Sequence, residues 1–363
     1  MNARLKRLME EAEKQGWQAA LVTNPKHVYY LSGFRCEPHE RLLALIVTSS
    51  GRTALLVPEL DRAGAEAAQA VDAIHSHRDT DDAYAVLASV IGAHASGLVA
   101  IEKESMTVTR YERLLAALPS ANLTGMDAFL TAMRAVKSED EIDRIRHAVK
   151  LIEQVLADTL PLVKPGVTEL ELAADIDYRM RKLGAEGPSF DTTVLAGEKS
   201  ALPHGSPGLR QVQAGELLLF DMGVYAEGYV SDITRTFAVG DISEELKRIY
   251  DTVLEANRIG IEALLPGKAM SSADRAARRH IEGQGYGELF THRLGHGIGL
   301  DIHEYPSLHG ANEDLLREGM VVTVEPGIYL PGIGGVRIED DVLVTANGPE
   351  SLTTFPKALT VIG

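Results

Sequence analysis

Apolar positions follow two periods along this chain. Leu5, Leu8, Met9 and Ala12 recur at helical spacing, whereas Ala19-Ala20-Leu21-Val22-Thr23 is a short apolar run ending at the turn pair Asn24-Pro25. Leu42 to Thr48 and Thr53 to Val57 are apolar runs separated by Ser49-Ser50-Gly51-Arg52, which predicts a hairpin. Helical patterns near 60–70, 82–93 and 108–118 follow, with a strand at Leu98 to Ile101 before the last of them. These elements predict a compact α/β domain.

A helix-rich stretch closes that domain. Ser138 is placed to cap a helix whose first turn holds Glu139, Asp140 and Glu141, acids that suit the positive end of the helix dipole. Ile142, Ile145, Val149, Ile152, Val155 and Leu156 carry the pattern to about Leu160, where Pro161 and then Pro165-Gly166 end it. The boundary falls near 128–137, giving domains 1–130 and 131–363. Within the second, Pro165-Gly166 opens a helix with Leu172, Ile176, Met180 and Leu183 on one face, and Pro266-Gly267 opens another over Ser271 to Ile281. Phe190 and Phe290 follow the two helices at the same offset, and each half ends in a long hairpin. A period this long predicts a duplicated half-domain, not a solenoid.

Composition narrows the class. The 363 residues carry a formal charge of −16, which argues against nucleic acid as a partner, and no basic cluster relieves it. No stretch reaches the roughly 18 apolar residues of a membrane span. The opening segment, Met1-Asn2-Ala3-Arg4-Leu5-Lys6-Arg7, breaks into charges too soon for a signal peptide. The single cysteine, Cys36, cannot form an internal disulfide and reads as a packing residue. A soluble cytoplasmic protein is expected.

Two hairpins bring acids together. Centring the first between Ala226 and Glu227 sets Asp221 opposite Asp232, and centring the second on Gly332 sets Glu325 opposite Glu339. Like charges on directly opposed strand positions repel, and flanking apolar residues make each pair costly to bury. An acid beside glycine or proline is often only a turn former. Two such pairs at equivalent places of a repeat instead share one explanation, a multivalent cation among them. His292, His296 and His303 lie close together among Gly295, Gly297 and Gly299, so imidazole is at hand and a continuous helix is excluded. H-E-x-x-H, G-x-S-x-G, a Walker loop and G-x-G-x-x-G are all missing, which disfavours helical zinc peptidases, serine hydrolases, NTPases and Rossmann dehydrogenases.

The strings Phe220-Asp221-Met222-Gly223, Ser231-Asp232-Ile233-Thr234-Arg235-Thr236, His292-Arg293-Leu294-Gly295-His296-Gly297-Ile298-Gly299, Glu325-Pro326-Gly327-Ile328-Tyr329 and Gly335-Val336-Arg337-Ile338-Glu339-Asp340 resemble the pita-bread metallopeptidases, the family of prolidase, aminopeptidase P and methionine aminopeptidase. The resemblance implies an α/β (α+β) fold: a creatinase-like N-terminal α/β domain, which methionine aminopeptidases generally lack, then a pseudo-twofold pita-bread catalytic domain. It makes Asp221, Asp232, His296, Glu325 and Glu339 the ligands of two divalent ions, and all five are present, unlike in the metal-free members. His204, His292, His303 and Arg337 match its surrounding catalytic and substrate-binding positions. Arg337 also reads as an ordinary salt-bridge partner.

Four carboxylates against two divalent ions make a neutral cluster, and oxygen with one imidazole suits manganese, with cobalt, zinc or iron as alternatives. Two ions roughly 3.5–4 Å apart can share a hydroxide that attacks the scissile carbonyl. Glu325 would then shuttle the proton while His303 and His204 steady the oxyanion. The expected substrate is a small peptide with proline second, whose tertiary amide offers no N–H. A dipeptidase (prolidase) is the first reading, aminopeptidase P acting on longer peptides the second, and a non-catalytic metal-containing binding module the third. A dipeptidase needs a cation for the substrate carboxylate. Ala311 stands near where some prolidases carry an arginine, and Arg317 reads as facing elsewhere, which leaves Arg35 and Arg41 as candidates. Phe190 and Tyr329 stand beside them for substrate binding, and the resemblance implies a homodimer.

Overall fold

The computed structural model describes residues 3–363; Met1 and Asn2, at the head of the charged opening segment, lie outside them. Two compact units divide at Ala132 and Met133. The first is built on a six-stranded sheet, in the spatial order Ala73–His77, Thr53–Pro58, Ala44–Thr48, Ala19–Val22, Gly97–Ile101, Ala121–Gly125. The predicted hairpin forms, with Ala44 opposite Leu56, and Ala19–Val22 joins it to a parallel half. Its four inner strands bury nearly every residue. The two edge strands were not read from the sequence. Each is half-exposed and mixes polar with apolar residues (Ala-Ile-His-Ser-His, Ala-Asn-Leu-Thr-Gly), so neither shows a continuous apolar run.

The second unit shows the duplication. Helices Glu139–Thr159 and Glu169–Lys182 back a sheet of Thr193–Ala196, Glu216–Met222 and Ile233–Val239, over a core that includes Ile152, Leu172, Phe220 and Phe237. Helices Glu244–Glu262 and Ser271–Gly283 back a sheet containing Gly295–Gly297, Val321–Val324 and Asp340–Thr345, over Val253, Ala277, Val322 and Val342. Capping boxes start the first two helices: Ser138 with Glu141, and Thr168 with Glu171. Leu172, Ile176 and Met180 are buried as expected, whereas Leu183 lies past the last turn and is exposed.

The hairpins differ in how well their register could be read. In the second, Gly327 faces Arg337 and Val324 faces Asp340, so paired numbers sum to 664 on both sides of the glutamates, as expected. In the first, Asp221 faces Thr234 and Tyr225 faces Val230, a shift of two residues that corrects the expected Asp221–Asp232 pair. Glu227 and Gly228 both adopt positive φ, at 51° and 78°, and form the two-residue turn whose twist matches the strands. Because side chains alternate, a slip of two keeps both aspartates on one face as diagonal neighbours.

Gly223 sits inside this hairpin, where a Cβ would lie 2.0 Å from Ser231 O. Gly223→Ala is expected to cost about 3 kcal/mol through overpacking. A drop in the denaturant midpoint measures it, and a midpoint unchanged from the parent contradicts the packing.

Candidate metal centre

The five ligand candidates sit in or beside strands of both halves. Asp221 lies within Glu216–Met222, and His296 is central in Gly295–Gly297. Asp232, Glu325 and Glu339 stand just outside strand ends, where ladder pairing lapses and the backbone is tied elsewhere. Glu325 N–H donates to Leu294 O at 2.8 Å, Glu339 N–H to Thr234 O at 3.1 Å, and Asp232 N–H to Asp341 Oδ2 at 3.0 Å. Two of these bonds cross between the halves.

The side chains converge. Asp232, His296 and Glu339 each offer a ligand atom, all within 4.8 Å of one another, and all three residues are buried. His296 Nε2 lies 3.4 Å from Glu325 Oε1 and 3.8 Å from Asp232 Oδ2. Asp221 Oδ2 is gripped by Arg337 Nη2, and Glu339 Oε2 accepts from Thr234 Oγ1 at 2.6 Å. Asp232 Oδ1 is buried with no hydrogen-bond partner. An orphaned carboxylate oxygen is what a cation would satisfy.

The electrostatics agree. Burial, reinforced by neighbouring carboxylates, raises the carboxyls of Asp232 and Glu339 well above the usual range. Glu325 is pushed up to about 7, mainly by burial and against the pull of Arg337. His296 falls to about 3, chiefly through burial and then the nearby His303, so its imidazole is neutral with a lone pair to offer. This mixture of carboxylates and one neutral imidazole fits hard or borderline divalent ions.

Arg337 is buried and does form a salt bridge, to Asp221. Its Nη1 donates to Tyr329 Oη at 2.9 Å, that hydroxyl lies 2.9 Å from His292 Nε2, and His292 Nδ1 lies 2.8 Å from Arg293 O. Burial lowers His292 to about 4. A neutral ring facing a carbonyl at Nδ1 carries its proton there, so Nε2 accepts from tyrosine. Both ring nitrogens are engaged within the protein. His292 lines the cavity, whereas Tyr329 is buried behind its wall.

The ligand candidates open into a cavity of about 560 Å3 whose walls include Phe190, His204, Arg293, Ile302, His303 and Arg337. His303 packs edge-on to His296 at 4.2 Å between ring centroids. Arg35 and Arg41 lie in the first unit, where Arg41 Nε donates to Asp79 Oδ1 at 2.7 Å. Three residues escaped the sequence reading as site members: Arg293, Thr234 and Asp341. Arg293 and Thr234 stood in motif strings, but which way they face is set by strand register.

Residues 143–346 match the model of metallopeptidase family M24, and residues 4–136 that of the creatinase/prolidase N-terminal domain. A putative dipeptidase of Bacillus subtilis is 40% identical over 99% of both chains. Among solved structures, an Xaa-Pro dipeptidase from Bacillus anthracis superposes with a TM-score of 0.93 at 34% identity, covering 99% of each chain. An X-Pro aminopeptidase from Thermotoga maritima gives 0.90 at 34% identity, covering 99% of this chain and 100% of its own.

Carboxyls with raised native pKa values bind more protons folded than unfolded, so stability is greatest below their unfolded pKa and is lost as pH rises. For Glu325 that window runs from the ordinary 4.5 to about 7. His292 and His296, held neutral by burial, act in the opposite sense and cost stability as pH falls through 6.5. The Glu325 effect is therefore read by difference. Between pH 5.5 and pH 7.5 the chelator-treated parent is expected to lose more in melting temperature than chelator-treated Glu325→Gln, with Mn2+ raising the parent's melting temperature at pH 7.5. Melting curves at both pH values test this, and no metal-dependent rise contradicts it.

Proposed function

The chain belongs to metallopeptidase family M24, the metal-dependent peptidase hydrolases, and on that premise we propose that it is an Xaa-Pro dipeptidase. Asp221, Asp232, His296, Glu325 and Glu339 would hold two divalent cations, manganese first among them. When bound, these supply Lewis acidity at the scissile carbonyl and lower the pKa of a bound water. Glu325 takes the proton of the attacking water and passes it to the proline nitrogen as the amide breaks. His303 and His204, on the cavity wall, steady the oxygen that gains charge. Phe190 offers the proline ring an apolar surface. Arg337 holds Asp221 in place, with Tyr329 and His292 bracing Arg337.

One observation favours a dipeptide over a longer peptide. Arg293 faces the cavity with Ser307 Oγ at 3.2 Å, and no carboxylate partner stands against it among the described residues. The cavity's other guanidinium, Arg337, is already paired. A guanidinium free in an acidic pocket suits the terminal carboxylate of X-Pro. Arg293 thereby takes the role that the sequence reading gave to Arg35 or Arg41. We further assign a cytoplasmic homodimer, which the lone cysteine and the family resemblance support. Among the described residues, no helix is long and apolar enough to cross a membrane.

Mn2+-supplemented hydrolysis of Ala-Pro beside Ala-Pro-Ala tests the reading, with Asp232→Ala as the blank. Cleavage confined to Ala-Pro is expected, and Arg293→Ala should raise KM for Ala-Pro about 10–100-fold, the value of one charge-assisted contact, with kcat within a few-fold. Equal or faster tripeptide cleavage makes the protein an aminopeptidase P. No metal-dependent cleavage of either leaves the binding-module reading.

A further inference from the structure

The glutamate hairpin has a hydrogen bond that its own sequence forbids. With paired numbers summing to 664, Pro326 stands opposite Ile338, and Ile338 N–H donates to Pro326 O at 3.4 Å. In an antiparallel hydrogen-bonded pair the return bond runs from the opposing N–H. Proline has none, so the buried carbonyl of Ile338 needs a donor from elsewhere.

That donor comes from helix Glu244–Glu262. Asn257, fully buried, places Nδ2 3.0 Å from Val324 O and 3.3 Å from Ile338 O. Lys357 Nζ donates to Asn257 Oδ1 at 2.7 Å and to Asp340 Oδ2 at 2.6 Å. An ammonium only donates, so it turns the amide oxygen toward itself and the NH2 group toward the two carbonyls. Gly260, one turn further, allows the close approach: a Cβ there would stand 3.0 Å from Val324 Cγ1 and 3.2 Å from Leu294 Cδ2.

Val324 and Ile338 are the residues immediately before Glu325 and Glu339. We propose that Asn257 is a positioning residue of the metal centre: by bridging these two carbonyls it replaces the bond Pro326 cannot make and sets the separation of the two glutamates. The site's affinity for its divalent ions then depends on a side chain that touches none of them. This inference rests on the metal-peptidase reading above.

The test is calorimetric titration of the chelator-treated full chain with Mn2+, comparing the parent, Asn257→Leu, Pro326→Ala and the double variant, with circular dichroism confirming the fold. Asn257→Leu keeps the volume and is expected to weaken Mn2+ binding about 10-fold or more, as loss of outer support does elsewhere. In the Pro326→Ala background residue 326 regains an N–H, so the same substitution should cost less than about threefold. Equal losses in both backgrounds, or no loss in either, overturn the proposal. A parent that takes up no Mn2+ overturns the metal reading and this inference with it. If Asn257→Leu does not fold, Lys357→Met, which frees the amide to turn, should still weaken Mn2+ binding about threefold, and an unchanged affinity overturns the proposal.

Discussion

Carboxylates brought together out of water repel one another and lose their hydration, so such a cluster is unstable without positive charge among them. The second unit accepts this at Asp221, Asp232, Glu325 and Glu339, and much of its architecture serves to hold those groups. Among the described residues only one fixed cation, Arg337, pairs with a ligand candidate, and it takes Asp221. The rest of the imbalance is visible in the raised carboxyls of Asp232, Glu325 and Glu339 and in the unpartnered Asp232 Oδ1. Divalent ions resolve both features at once, and the same charge makes them Lewis acids for peptide hydrolysis.

Holding acids at strand ends creates a second problem, because ladders stop there and the freed backbone groups must be satisfied. The duplicated halves answer it mutually. Thr234 O accepts from Glu339 N–H while Thr234 Oγ1 donates to Glu339 Oε2. Asp341, from the second hairpin, accepts Asp232 N–H of the first. Arg235, buried between them, donates to Thr234 O at 3.0 Å and to Asp340 Oδ1 at 2.7 Å. Asp232 and Glu339 are thus tied by the opposite half, and the site forms where the two meet.

The cavity wall is built differently from the ligand candidates. The ligand candidates come from strands and their ends, which tolerate little displacement, while His204 comes from a loop beside the short helical turn Gly197–Ala201. That loop is itself anchored: Glu169, buried at the start of its helix, accepts from Ala196 N–H and Gly208 N–H, both at 2.9 Å. His204 and Arg293 line the same cavity as the ligand candidates.

Much of this was legible in the chain. Hydrophobic period gave three of the four long helices of the two halves, missing Glu244–Glu262, together with the strands of the first unit's inner sheet and the repeat, because buried faces impose their spacing on sequence. Acids set among apolar residues announced a cation, because burying them bare is too costly to be incidental. The second hairpin's register followed from its Pro-Gly-Ile-Gly-Gly loop. The first hairpin's register did not, since the two-residue turn at Glu227-Gly228 depends on a left-handed glutamate that no local pattern requires. Arg293 and Asn257 were illegible for a related reason. An arginine inside a motif and an asparagine inside an amphipathic helix gain their roles only from what the fold sets opposite them, a pocket whose other guanidinium is already paired and a proline without an N–H. Sequence determined which groups the protein buries and the chemistry they demand; tertiary structure decided which of them meet, because contact between distant segments is a property of packing and not of spacing.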